Sequence, residues 1–267
     1  MLRRELSWIL LWLLAAPAHA AEPVADAARA LLERAFANRY EVDLTSVIEL
    51  VVRSRTGQET HKTLHAMSKR IDDRMHSIGR LVAPASVRGM TVLMVEAEDR
   101  SHDAFVYLPS LSLVRRISTA QRGDSFFGTD VTYEDLERQR AQDFELEGAE
   151  VGTLGGEAVH WISARPRRAW RYDRVRFALA ASDLSILVAE YYKRGAETPC
   201  RVIRAERASM VAQHGHVLPT HLFVESRDRG TSTEVRIQNL RIDPPIDARF
   251  FSVKTLQSQR ALPVKER

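Results

Sequence analysis

From residue 45 to residue 242 the chain alternates apolar and polar side chains with a period of two, interrupted only by short turns. Successive side chains of a β-strand point to opposite faces, so this pattern predicts strands rather than helices. Strands are predicted over residues 46–55, 61–68, 70–81, 91–97, 104–108 and 112–118. A second series covers 143–151, 158–164, 175–180, 186–194, 201–210, 217–226 and 232–242. The connectors, among them Arg55-Thr56-Gly57-Gln58, Glu98-Asp99-Arg100, Ala181-Ser182-Asp183 and His214-Gly215-His216, carry turn residues and are too short for crossover helices. The expected fold is therefore mainly β, an antiparallel meander. A sheet of eleven or more strands accumulates twist and has to curl.

Several strands are apolar on both faces: Val47, Ile48, Leu50, Val51 and Val52; Phe105, Val106, Tyr107 and Leu108; Ile186, Leu187, Val188, Ala189, Tyr191 and Tyr192. Such strands must be covered on both sides. One helix precedes them. Pro23 suits its first turn, and Val24, Ala27, Ala28, Leu31, Leu32, Ala35 and Phe36 recur at three- and four-residue spacing. Asp26, Arg29, Glu33 and Arg34 take the other side, and the helix ends near Asn38-Arg39-Tyr40. A single helix cannot cover that many strands. Either the sheet folds into a packed sandwich, or it encloses an apolar cavity that something else fills.

Residues 119–140 break the rhythm. A Gly/Asp-rich loop carries Phe126 and Phe127, and Thr132 then caps a short helical stretch with Asp135 three residues on. This block reads as an insertion between two halves of the sheet. Past Pro244-Pro245 the periodicity fades. Phe250-Phe251-Ser252 is a candidate docking segment, and residues 257–267 are expected to form a loose, charged tail.

The N-terminus predicts the compartment. Arg3 and Arg4 precede an apolar run from Leu6 to Ala16, and Ala18-His19-Ala20 has the small-x-small form of a signal-peptidase site. Cleavage after Ala20 would release an exported, periplasmic chain. The apolar run is shorter than the ~20 residues a membrane span needs, and no cysteine at position 21 offers a lipid attachment site. At 45% apolar residues the chain can bury a core. Its +4 charge, from 39 basic and 35 acidic residues, describes a mixed surface rather than a polycation. Export removes nucleic acid as a partner and leaves anionic membranes or acidic protein patches. Cys200 is the single cysteine, so an internal disulfide, a CxxC pair and cysteine-based metal clusters are excluded by count.

Three motifs carry alternative readings. Gly123-Asp124-Ser125 resembles the nucleophile of GDSL-type hydrolases, which would make the chain an exported serine esterase. That family's Asp-x-x-His lies near the C-terminus, whereas here the pattern occurs at Asp73–His76, upstream of Ser125. His214, His216 and His221 offer three imidazoles to a metal, yet no carboxylate follows in metalloprotease spacing; hairpin-tip and strand positions explain them, and no metal or cofactor is expected. Arg165, Arg167, Arg168 and Arg171 cluster at a hairpin tip with Trp170 and Tyr172. Guanidinium groups suit phosphate and carboxylate, and Trp and Tyr suit a membrane interface, so this tip is a candidate docking patch for a membrane or an acidic partner.

Read in order, Pro84, Val87, Arg88-Gly89, Leu93, Asp103, Phe105-Val106-Tyr107-Leu108-Pro109, Val114-Arg115-Arg116-Ile117-Ser118, Asp124 to Asp130 and Tyr133-Glu134-Asp135-Leu136 form a set. This set resembles the bacterial outer-membrane lipoprotein-sorting proteins, relatives of the periplasmic lipoprotein carrier LolA. The resemblance implies a strongly curved antiparallel half-barrel over residues 21–256, with covering helices around a hydrophobic cavity that holds a lipid or the acyl chains of a lipoprotein. It implies a non-catalytic, monomeric carrier serving outer-membrane lipoprotein or lipid sorting, in transient contact with membrane surfaces. An inner-membrane exporter of the resistance-nodulation-division type is an implied partner, and a structural adaptor of such an exporter is the remaining alternative. Phe105, Tyr107, Trp161, Tyr191 and Phe223 are the candidate cavity residues, with Phe126 and Phe127 as a movable gate. Their facing depends on register, and a one-residue slip reverses it.

Overall fold

A computed structural model describes residues 22–99, 101–168, 170–258 and 260–265; the expected signal peptide lies outside them. A helix, α1 (Glu22–Tyr40), leads into β1 (Leu44–Arg53), β2 (Glu59–Ile71), β3 (Arg74–Ala83), β4 (Thr91–Glu96), β5 (His102–Leu108) and β6 (Leu113–Ile117). After a long irregular segment, 118–143, come β7 (Phe144–Leu154), β8 (Glu157–Pro166), β9 (Arg174–Ala180), β10 (Ile186–Tyr192) and β11 (Arg201–Ala205). The chain continues through β12 (Met210–Gln213), β13 (His216–Pro219), β14 (His221–Ser226) and β15 (Thr231–Ile242) to a short helix, α2 (Val253–Ser258). Among the described residues, thirteen strands form one open antiparallel sheet, ordered β6-β5-β4-β3-β2-β1-β15-β14-β11-β10-β9-β8-β7. The first and last strands meet at its centre, and the 118–143 segment joins its two edge strands. No described helix is long and apolar enough to cross a membrane.

Two strand boundaries differ from those expected. The turn between β2 and β3 sits at Asp72-Asp73, both with positive φ (49° and 60°), not at Lys69. Short aspartate side chains tolerate that left-handed conformation, so the two strands run on to it. The expected strands 201–210 and 217–226 each divide, because β12 and β13 leave the main sheet as a separate hairpin whose tip is His214-Gly215 (φ 51° and 81°). Its base is stitched back by Thr220 N–H donating to the Ser209 carbonyl at 3.0 Å and Ile237 N–H donating to the Thr220 carbonyl at 2.7 Å.

Register sorts the apolar residues into two faces. On the inner face, Val106, Val92, Gly79 and Ala66 line up across β5 to β2. Val224, Ile203, Ala189, Phe177 and Ile162 do so across β14 to β8, and Ile48, Leu50 and Val235 connect the halves. α1 covers one half: Ala28, Leu32, Ala35 and Phe36 are buried with Phe144, Ile162, Phe177 and Ile203. The Phe36 and Phe177 rings meet edge to face at 5.5 Å, an arrangement aromatic quadrupoles favour. The 118–143 segment covers the other half, with Phe126 and Tyr133 buried against Leu64, Leu81, Val92, Met94 and Val106.

The outer face of β2–β5 has its own cover. Phe251, Leu256, Leu262 and Val264 pack on Val47, Met67, Ile78, Leu93 and Tyr107. The expectation of a loose tail from residue 257 is therefore corrected: Leu262 and Val264 are buried. Arg80, itself buried on this face, anchors the segment. Its guanidinium donates to the Thr255 carbonyl at 2.8 Å, to the Arg260 carbonyl and to Thr91 Oγ1 at 2.8 Å. A charged group taken from water needs that full set of acceptors. Leu256 is completely buried, so Leu256→Ala should lower the unfolding free energy by about 2–5 kcal/mol, read from the urea midpoint. A loosely attached C-terminus would leave the midpoint unchanged.

Candidate functional site

The inner face with its two covers is the candidate site, and the structure divides the sequence-derived residues between the faces. Tyr191 lies on the inner face, in register with Val175 and Arg201, stacked on Tyr172 at 4.9 Å. Phe105, Tyr107, Trp161 and Phe223 lie on the outer face. Trp161 aligns with Ala178, Val188, Arg204 and Phe223. Phe105 and Tyr107 are covered by the C-terminal segment, Trp161 lies under the Arg176 guanidinium at 4.2 Å, and Phe223 remains 42% exposed. These five residues do not line one cavity. The alternation located them on strands, but facing is set by pairing partners far away in sequence.

Phe126 is buried among the inner-face aliphatics, and Phe127 packs on it at 4.5 Å with a left-handed backbone (φ 48°) followed by Gly128 at 74°. The arginine-rich tip is not a free patch either. Arg165 pairs with Glu147 and with Asp173 at 2.5 Å, Arg167 donates to the Phe144 carbonyl at 3.2 Å, and Arg168 lies 2.8 Å from Glu137. Trp170 and Tyr172 turn inward onto the aromatic cluster below α1; burial pushes the Tyr172 hydroxyl pKa up to about 12. Arg171 alone of these arginines makes no hydrogen bond or ion pair with a described residue.

What the sequence reading missed is a buried polar latch that ties the 118–143 segment across the sheet. Asp130 receives Thr231 Oγ1 at 2.5 Å, Arg229 Nη2 at 2.6 Å and Thr233 Oγ1 at 2.9 Å, while its own N–H donates to Thr233 Oγ1 at 2.8 Å. Asp135 is gripped by both terminal nitrogens of Arg201 and caps Thr132. Burial opposes the Arg201 charge, but Asp135 and the neighbouring Tyr191 and Tyr172 outweigh it, so its pKa is raised. On the opposite half, Glu96 accepts from Arg138 at 3.2 Å, from Arg140 and from the Met75 N–H at 3.0 Å. Glu137, 1% exposed, faces Arg122 at 3.3 Å and Arg168. α1 is bound to the same segment: Glu33 accepts the Ala141 N–H at 2.9 Å, and Arg29 donates to the Ala141 carbonyl at 3.3 Å. A sequence signal existed. Glu96, His102 and Arg201 occupy positions in phase with apolar inner-face neighbours, where a charge is out of place unless something pairs with it.

His102 sits inside this latch. Its Nε2 accepts the Arg138 N–H at 3.1 Å, which places the proton of the neutral ring on Nδ1, 3.9 Å from Glu137. Desolvation, with Arg122, Arg168 and Arg138 nearby, lowers its pKa to about 4.

The remaining sequence candidates have ordinary partners. Ser125 donates to the Thr129 carbonyl within its own loop. His221 is held between Glu206 and Glu234, each at 2.5 Å, His214 faces Asp243 at 3.6 Å, and the three histidines do not converge. Among the described residues no group of His, Cys, Asp and Glu is arranged to hold a metal.

An open antiparallel sheet entered by an N-terminal helix and capped by a segment joining its edges is the LolA-like fold. It is similar to a DUF1329 family protein from Desulfovibrio piger (24% identity, 87% of this chain and 99% of that one, TM-score 0.78). It is also similar to a domain described as an outer membrane lipoprotein-sorting protein from Vibrio parahaemolyticus (18%, 88% and 97%, 0.76). A LolA superfamily protein from Nitrosomonas europaea matches at 20% identity over 85% and 98% of the two chains, with a TM-score of 0.67. A family model described as uncharacterized protein-like matches residues 73–258, more than half of the sequence, and the chain belongs to that family. The curated proteins give no match.

Two measurements test the latch. Arg201→Met leaves Asp135 buried without its cation and should cost about 3–5 kcal/mol, read by chemical denaturation. The His102 ring is neutral when folded and takes a proton when unfolded below pH 6.5, so its contribution is complete above that pH and falls away towards pH 4. The loss is about 3 kcal/mol over that window. Stability measured from pH 7 to pH 4 should decline less steeply in His102→Gln than in the parent protein.

Proposed function

We propose that this protein is a non-catalytic carrier that takes an acyl chain of a lipid or lipoprotein onto the inner face of its sheet, curved as a half-barrel, after α1 and the 118–143 segment move aside. The observation that carries this reading is the composition of that face. It is apolar from Val106 to Ile162 across eleven strands, and what covers it is one helix and one irregular segment rather than a second sheet. Each buried methylene of a bound chain contributes about 0.8 kcal/mol, so a long acyl chain can replace the side chains that α1 withdraws. The covers are fastened by ion pairs and hydrogen bonds at defined points, which lets them detach as units. The signal-like N-terminus supports a periplasmic carrier working between an inner-membrane donor, such as an exporter of the resistance-nodulation-division type, and the outer membrane. The lipoprotein-sorting description of the Vibrio neighbour supports the same reading.

Native mass spectrometry with organic extraction, on protein purified from its own periplasm, tests the proposal, together with titration of a fluorescent fatty-acid probe. A stoichiometric lipid or acylated peptide, or saturable probe binding, is expected. Asp130→Ala removes the latch contacts to Arg229, Thr231 and Thr233 and should speed probe uptake about tenfold for each 1.4 kcal/mol by which it favours the open form. An empty protein that binds no probe even in Asp130→Ala overturns the carrier reading in favour of a permanently packed structural protein. Ester turnover lost in Ser125→Ala would overturn it in favour of a hydrolase.

A further inference from the structure

Where the 118–143 segment meets the ends of β9, β10, β11 and β14, a cavity of 240 Å³ opens on the rim of the inner face. That volume holds about eight waters. Four cations line it, Arg171, Lys193, Arg201 and Arg229, against one lining carboxylate, Asp228. Asp228 is engaged by Lys193 at 2.5 Å. From behind the wall, Asp130 compensates Arg229 at 2.6 Å, and Asp135 compensates Arg201. The fourth charge is left over. Arg171 makes no ion pair or hydrogen bond with a described residue, and its guanidinium rests on the backbone of Gly123, where a Cβ would lie only 2.9 Å from Nε.

A second observation points the same way. Arg201 is 3% exposed, yet its Nε–H has no hydrogen-bond partner among the described residues. A buried donor left unpaired costs about 1–3 kcal/mol, so a lining group with an empty donor is poised for an acceptor. Ser226 Oγ accepts from Arg229 Nε at 3.0 Å, leaving its own proton to donate. One uncompensated guanidinium and one available hydroxyl thus line a space of suitable size, and the unused N–H belongs to Arg201, another of its lining residues.

We infer that this rim cavity is an anion-binding site for a phosphate or carboxylate group, with Arg171 as its principal cation. Guanidinium groups bind such oxygens in pairs. Tyr172 and Cys200, which line the cavity, also belong to the apolar cluster under α1. An anion held here therefore sits at the end of the apolar face, where the head of an amphiphile belongs; that assignment, unlike the site itself, rests on the carrier reading.

Isothermal titration of the full mature chain with inorganic phosphate, decyl phosphate and decanol tests the inference. The variants are Arg171→Gln, Arg171→Lys and, as a charge control on the outer face, Arg116→Gln. Both phosphate probes should bind, Arg171→Gln should weaken them at least tenfold, Arg171→Lys should recover part of the loss, and Arg116→Gln should match the parent. Decyl phosphate binding tenfold or more tighter than inorganic phosphate supports the site with a lipid head as its ligand. Equal affinities support the site with a free anion and remove the lipid assignment. No phosphate binding, or binding undiminished in Arg171→Gln with an unchanged circular dichroism spectrum, overturns the site. Decanol binding that survives in that variant keeps the carrier reading standing by itself.

Discussion

A single open sheet with apolar side chains on both faces depends on its covers, and the rest of this structure follows from that demand. The outer face of the first half is closed by the C-terminal segment, through Phe251, Leu256, Leu262 and Val264. The inner face is closed by α1 and by the segment that joins the two edge strands. Apolar contact is non-directional, so each cover also needs polar ties to define where it sits. Arg80 supplies them outside, and the Asp130, Asp135, Glu96 and Glu137 groups supply them inside.

The two sets of ties differ in kind. Outside, one buried cation holds backbone carbonyls at the start of a continuous apolar cluster, and the cover behaves as part of the core. Inside, the ties are mostly between opposite charges drawn from water. Buried ion pairs add little net stability over an apolar contact of the same shape, while losing one partner is expensive. Their service here is to specify the position of the 118–143 segment. Under the carrier function proposed above, those discrete contacts are the ones that would have to break for the cover to lift from the apolar face beneath it.

Legibility in the sequence followed the range of the interactions. Alternation is local, so the expected strands, the lone helix and the break at 119–140 all have counterparts, and the family resemblance carried by residues 84–136 agrees with the fold. Which face Phe105 or Trp161 occupies was not legible, because β1 pairs with β15 nearly two hundred residues away and a register bulge between Thr45 and Val47 intervenes. The burial of Leu262 and Val264 was hidden for a similar reason: three apolar residues without periodicity look like a tail until a distant surface is found for them. Asp72-Asp73 was a local signal overlooked, since two adjacent aspartates suit a left-handed turn as well as any glycine-containing pair.

Composition and alternation by themselves determined that the chain builds a long antiparallel meander, that both faces of it need cover, and that its single cysteine forms no internal disulfide. Those conclusions need only the period of a strand and a count of residues. Tertiary structure decided which apolar residues share a face, which segment closes it, and that Glu96, His102, Asp130, Asp135 and Arg201 form a latch rather than a solvated surface. It also left Arg171 without a counter-charge among the described residues, at the rim of a cavity that Arg201 and Arg229 line as well. Such facts depend on charges brought together from positions 42 to 99 residues apart, where Coulomb energy and desolvation are decided by distance in space and have no periodic trace along the chain.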